Sequence, residues 1–148
     1  MYLQYTDTIM QKPTPNAPEL QIPLFGTRVA CGFPSPATDW IEKTIDLNLL
    51  CVQHPAATFY VRASGHSMTG VGIHDGDLLV VDRSLTPRND DTVLAAYDGE
   101  FTVKVFQTLP RPALVPANPS YQPIYLDEAS DMQIFGVVTY SLHQTRQP

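Results

Sequence analysis

A chain of 148 residues has room for one domain with a closed hydrophobic core, and 43% apolar residues are enough to build it. Fifteen acidic residues against nine basic ones leave a formal charge of −6, which speaks against a direct, specific grip on DNA, because phosphates are held by clustered Lys and Arg. Fourteen prolines against eight glycines disfavour long helices and favour short strands joined by fixed turns.

The first segment, MYLQYTDTIMQKPTP, has no apolar run of signal-peptide length, and no later stretch approaches a membrane span. These features predict a soluble, cytoplasmic protein with no membrane attachment. Residues 1 to about 37 are broken by Pro13, Pro15, Pro18, Pro23, Pro34 and Pro36 and show no apolar period, so an extended arm is expected. "ATDWIEKTIDLNLLCVQH" predicts a short helix, with Asp39 as cap and Trp40, Ile41, Ile45 and Leu49 near helical spacing. From Thr58 the pattern is that of strands. "TFYVRA" is β-branched and aromatic, and "DLLVVD" is a short apolar run between turn signals. "TVLAAYDGEFTVKVF" reads as a hairpin turning at Asp98-Gly99, because a type I′ turn needs positive φ at both central residues. "ALVPAN", "PIYL" and "MQIFGVVTYSL" supply further strands. The expected fold is mostly β, a strongly bent sheet or partial barrel with little helix.

The chemistry-bearing residues are few. Cys31 and Cys51 read as free thiols of a reducing compartment, since no secretory context supports pairing. The four histidines, His54, His66, His74 and His143, form no metal-ligand pair, and no Gly-Lys-Ser/Thr phosphate loop is present, so no metal or cofactor is expected. "ASGHSM" offers Ser67 as a nucleophile or as a turn serine. His66 is a poor base for it, because neighbours on an extended chain point to opposite sides. His54 or His74 would need the fold to bring it close. Lys104 lies inside "EFTVKVF", with Thr102 and Phe106 on its side of the strand and Phe101, Val103 and Val105 on the other. A desolvated lysine serves as a general base, whereas an edge lysine protects a strand from aggregation. Spacing alone leaves both readings open.

"ASGHSMTGVGIHDGDLLVVD", "DTVLAAYDGEFTVKVFQ", "PANPSYQPI" and "FGVV", in this order, resemble the LexA/UmuD self-cleaving serine peptidases, and within them the UmuD-type mutagenesis proteins. The resemblance runs from about Leu24 to His143, while residues 1 to about 23 have little that matches. It implies a LexA-like peptidase domain with Ser67 as nucleophile and Lys104 as general base. It also implies a cut between Cys31 and Gly32 in "VACGFPSP". The chain would then divide into an arm, 1–31, and a peptidase domain, 32–148. A small residue followed by Gly suits a scissile bond, since the backbone must approach the serine closely. His66 stands where an acidic residue is familiar in the family.

The same resemblance implies a DNA-damage (SOS) role, with cleavage stimulated by a RecA filament on single-stranded DNA. The processed homodimer would be the accessory subunit of an error-prone, UmuC-like translesion polymerase. Three other readings are weighed against it. A LexA-like repressor needs a DNA-binding domain, and the proline-broken 31 residues before Gly32 are too few to pack one. A non-catalytic binding module would be expected to lack Ser67, Lys104 or the Cys-Gly pair, and this chain has all of them. A signal peptidase would need a membrane anchor.

Overall fold

The computed structural model of the chain describes residues 10–25, 29, 31–32 and 41–148. These form two compact units, one made by 54–148 with the short strand at 10–11, the other within 14–53.

The larger unit is an open antiparallel sheet of eight strands. In chain order its strands are β1 (Met10–Gln11), β4 (Thr58–Arg62), β5 (Leu78–Asp82), β6 (Thr92–Tyr97), β7 (Glu100–Gln107), β8 (Ala113–Val115), β9 (Ile124–Tyr125) and β10 (Met132–Leu142). They lie side by side as β1-β4-β5-β10-β6-β7-β8-β9, so among the described residues β1 and β9 are edges and no barrel closes. β10 is the keystone. Its first half pairs with β6 and its second half with β5, with irregularities between Ile134 and Gly136 and between Val138 and Tyr140. Such bulges bend and twist a strand, which lets one strand serve two neighbours. At Gly136 a Cβ would stand 2.7 Å from Val81 Cγ1 and 2.9 Å from the Asp82 carbonyl oxygen, so only glycine allows this approach.

Apolar clusters cover both faces. Val61, Met68, Leu79, Val81, Leu94 and Phe135 belong to one, and Val93, Ala95, Leu114 and Val137 to the other. This explains why "DLLVVD" and "TVLAAY" are continuous apolar runs and do not alternate: both sides of β5 and β6 are dry. The β6–β7 hairpin turns where the sequence predicts it, with φ of 49° at Asp98 and 81° at Gly99.

The smaller unit corrects the helix reading. Ile41–Ile45 form strand β3, paired antiparallel with β2 (Ile22–Phe25), and only Leu47–Cys51 are helical (α1). Residues four apart share a side in a helix and also in a strand, so Ile41 and Ile45 fit both periods. β-branched Ile41, Thr44 and Ile45, with a partner strand available, settle it as β. The cap is Asp46, whose carboxylate accepts from Asn48 N at 2.8 Å, Leu49 N at 3.3 Å and Leu20 N at 2.6 Å. Those bonds hold its pKa below the usual carboxylate range, the one from Leu20 contributing most. Asp39 and Trp40 lie outside the described residues. The arm is also less featureless than its prolines suggest, since it supplies β1 and β2. Pro23 is tolerated because β2, among the described residues, pairs on one side alone, with β3.

Candidate active site

β4 ends at Arg62 and passes into the loop that carries Ser67. The neck of that loop is closed by Ala63 N donating to the Asp77 carbonyl and Gly76 N to the Ala63 carbonyl, both at 2.8 Å. Inside it, Gly65 takes a φ of +92°, which a side-chain-bearing residue rarely adopts, and its N–H donates to Asp75 Oδ1 at 2.8 Å. The two neighbours of Ser67 are then fixed. The His66 carbonyl accepts from Asn118 Nδ2 at 2.8 Å, and Met68 is sunk into the core. A turn of 3₁₀ helix, Thr69–Val71, follows and is tied by Gly70 N to the Ala117 carbonyl at 2.6 Å.

Lys104 arrives from β7. Its Nζ lies 3.0 Å from Ser67 Oγ, 2.8 Å from Thr102 Oγ1 and 3.1 Å from the Val103 carbonyl oxygen. Among the described residues it makes no ion pair. Burial pushes its pKa below that of a free lysine. An ammonium would donate to all three groups, whereas a neutral amine would donate to two and turn its lone pair to the third. A cavity of about 260 Å³ opens beside them, with Val61, Ser64, Ser67, Met68, Phe101 and Lys104 in its lining. Among the described residues, none accepts a hydrogen bond from the backbone N–H of Ser67 or Met68.

The histidines are occupied elsewhere. His54 Nδ1 lies 2.6 Å from Asp82 Oδ2, and His143 Nδ1 lies 2.5 Å from Asp77 Oδ1. The His74 ring packs on that of His143 with centroids 4.9 Å apart, and its backbone N–H donates to Asp77 Oδ2. His66 is exposed. Burial alone would raise the pKa values of Asp77 and Asp82, but their hydrogen bonds together outweigh it and both carboxyls are lowered. These pairs pin loops; Ser67 has Lys104, not a histidine, as its side-chain partner. Cys31 and Gly32 belong to the smaller unit, where Cys31 is exposed with Sγ 4.0 Å from the Val29 carbonyl oxygen. Among the described residues no group of three or more His, Cys, Asp or Glu is placed to hold a metal ion, and no helix is long and apolar enough to cross a membrane.

The sequence reading placed Thr102 beside Lys104 without giving it a role, and it passed over Asn118. Thr102 carried a signal, standing two residues from Lys104 and so on its side of the strand. Asn118 carried none, being 52 residues from the carbonyl it holds.

An open β-sheet that sets a serine hydroxyl against a desolvated lysine amine has the makings of a serine peptidase. A family model described as Peptidase S24-like matches residues 23–139, which include both side chains, and the chain belongs to that family. It is 54% identical to protein SamA of Salmonella typhimurium over 124 residues, covering 84% of this chain and 86% of SamA. It is 51% identical to protein ImpA of Escherichia coli over 127 residues, with the same coverage of 84% and 86%. Protein MucA of Escherichia coli is 46% identical over 122 residues, 82% of this chain and 84% of MucA. These relatives place the chain among the UmuD-type members.

Proposed function

We propose that this chain cuts its own Cys31–Gly32 bond by a Ser67–Lys104 mechanism and serves SOS mutagenesis in its processed form. The observation that carries the reading is the 3.0 Å contact between Lys104 Nζ and Ser67 Oγ, made by an amine without a counter-ion among the described residues. Neutral Lys104 takes the Ser67 proton, and Oγ attacks the Cys31 carbonyl carbon. The resulting oxyanion is met by the backbone N–H groups of Ser67 and Met68. Lys104, now an ammonium, returns its proton to the Gly32 nitrogen as the C–N bond breaks. A water molecule, deprotonated by Lys104, then attacks the Cys31 ester, Lys104 passes that proton to the departing Ser67 Oγ, and 1–31 is freed from 32–148.

Membership of the family and the UmuD-type relatives support the wider reading. In it a RecA filament on single-stranded DNA stimulates the cut, and the processed homodimer assists a UmuC-like translesion polymerase. The charge of −6 fits a protein that meets protein surfaces and leaves DNA to its partners. Intact mass of the purified chain, followed over time with and without RecA, ATP and single-stranded DNA, tests this. Fragments 1–31 and 32–148 are expected, faster with the filament. A cut at another bond, or the same cut in Ser67→Ala, would sink the mechanism.

Thr102 is assigned to positioning. By accepting an N–H of Lys104 it turns the lone pair toward Ser67. Thr102→Val is expected to slow cleavage about tenfold, while Thr102→Ser, which keeps the acceptor, restores most of the rate. Equal rates in Thr102→Val and wild type would remove it from the mechanism.

A further inference from the structure

Five-residue β4 is flanked on one side by β5 and on the other by β1, with Met10 opposite Val61 and Gln11 opposite Tyr60. Among the described residues β1 has two, and Pro13 ends any continuation of it toward the C-terminus because proline has no N–H to donate. Beyond the ladder, Lys12 Nζ stands 5.7 Å from the centre of the Phe59 ring, which also faces the Arg83 guanidinium at 5.7 Å. The segment upstream of Cys31 thus returns to the peptidase sheet as an edge strand, beside the residues that lead into the Ser67 loop.

We propose that the outer edge of β4 is a strand-docking site for an extended segment bearing a lysine or arginine. The chain's own Met10, Gln11 and Lys12 fill it while the chain is whole, and severing the chain opens it to such a segment of a partner protein. The second half rests on the self-cleavage proposed above. The contact described, two paired residues and one cation over a ring, is weak by itself. It persists because the chain presents the segment at an effective concentration on the order of millimolar. Once Cys31 and Gly32 part, residues 1–31 are held non-covalently, by the β1–β4 and β2–β3 pairings and the Leu20–Asp46 bond among the described residues, and β1 leaves when the cut peptide dissociates. A bare strand edge is a ready template for another strand. The occupant's chemistry is read from the segment it replaces. It runs antiparallel to β4 and carries a cation where Lys12 sits over Phe59. The acidic chain favours a basic arrival.

The test is amide hydrogen exchange over Thr58–Arg62 in a Ser67→Ala chain, which keeps the arm attached. Adding Met10→Pro and Gln11→Pro removes whichever N–H faces β4. Exchange there is expected to rise about tenfold, with β6 and β10 unchanged as the check on folding. A synthetic peptide of residues 7–16 at millimolar concentration slows it again, and the same peptide with Lys12→Ala slows it less. Lys12→Glu in the Ser67→Ala chain, which leaves the backbone intact, gives a smaller rise of a few fold. Equal exchange with and without the prolines, or a peptide without effect, would overturn the docking site. Wild-type protein after the cut should exchange as fast as the proline variant, and slow exchange there would overturn the opening alone. Failure of the cut itself shows separately, as an unchanged mass of the wild-type chain.

Discussion

Replacing Lys104 by arginine is expected to stop self-cleavage, a loss of at least about 10³-fold, although charge and reach are kept. Arginine does not give up its proton in a protein, so it has no lone pair to offer Ser67. A purely structural or electrostatic role for Lys104 would survive this change. For the wild type the sign of the pH dependence follows from the lowered pKa of Lys104. The reactive species is the neutral amine, so the rate rises with pH up to that pKa and levels off above it. Because burial brings the pKa below that of a free lysine, the rise is spread over less alkaline pH than a solvated lysine would give. Initial rates from intact mass across neutral to alkaline pH check both points. A flat wild-type profile, or an arginine variant that still cuts, would remove Lys104 as the base. Ser67→Ala should be as inactive as the arginine variant, since removing either partner of a unit costs about as much as removing both.

Much of the larger unit was legible because its strands carry local signals. "DLLVVD" and "TVLAAY" are short apolar runs, and Asp98-Gly99 marks its hairpin with residues that tolerate the positive φ found at both positions. "MQIFGVVTYSL" became β10 over its whole length. Legibility stopped where a local pattern fits two periods. Ile41 and Ile45 satisfied a helix until β2 was seen beside them, and β2 was hidden by Pro23. The site divides the same way. Ser67 and Lys104 were visible as residue types in unusual settings, but that they meet is a fact of folding, since they stand 37 positions apart with β5 and β6 between them in the chain. Family resemblance supplied the pairing that spacing left open. The bonds that fix the Ser67 loop were unreadable, because Asn118, Ala117 and Asp75 reach it from sequence-distant or exposed turns that have no period.

Gly70→Ala should therefore impair the enzyme through a residue that takes no part in the chemistry. A Cβ at this position would stand 2.4 Å from the Ala117 carbonyl oxygen and 3.2 Å from its carbon, far inside any real contact. The obstacle is backbone, so no side chain swings away to relieve it. Either the Thr69–Val71 turn shifts or the segment at Ala117 does. The first carries Met68, directly after the nucleophile, and the second adjoins Asn118, which holds the His66 carbonyl directly before it. The stability cost is about 1–3 kcal/mol, and a displacement of Ser67 by about 1 Å slows cleavage about 10²-fold. Gly136→Ala separates the two effects. Its Cβ would stand 2.7 Å from Val81 Cγ1 and 2.9 Å from the Asp82 carbonyl oxygen, also too close, but at the β5–β10 contact and not at a hydrogen bond that ties the Ser67 loop. That variant should lose similar stability by thermal unfolding and still cut at close to the wild-type rate wherever it is folded. If both glycine variants slow cleavage only in proportion to their unfolded fraction, the placement of the loop does not limit the reaction. If Gly70→Ala alone is slow while folded, the hydrogen-bonded loop and not the sheet beneath it holds the serine hydroxyl against the amine.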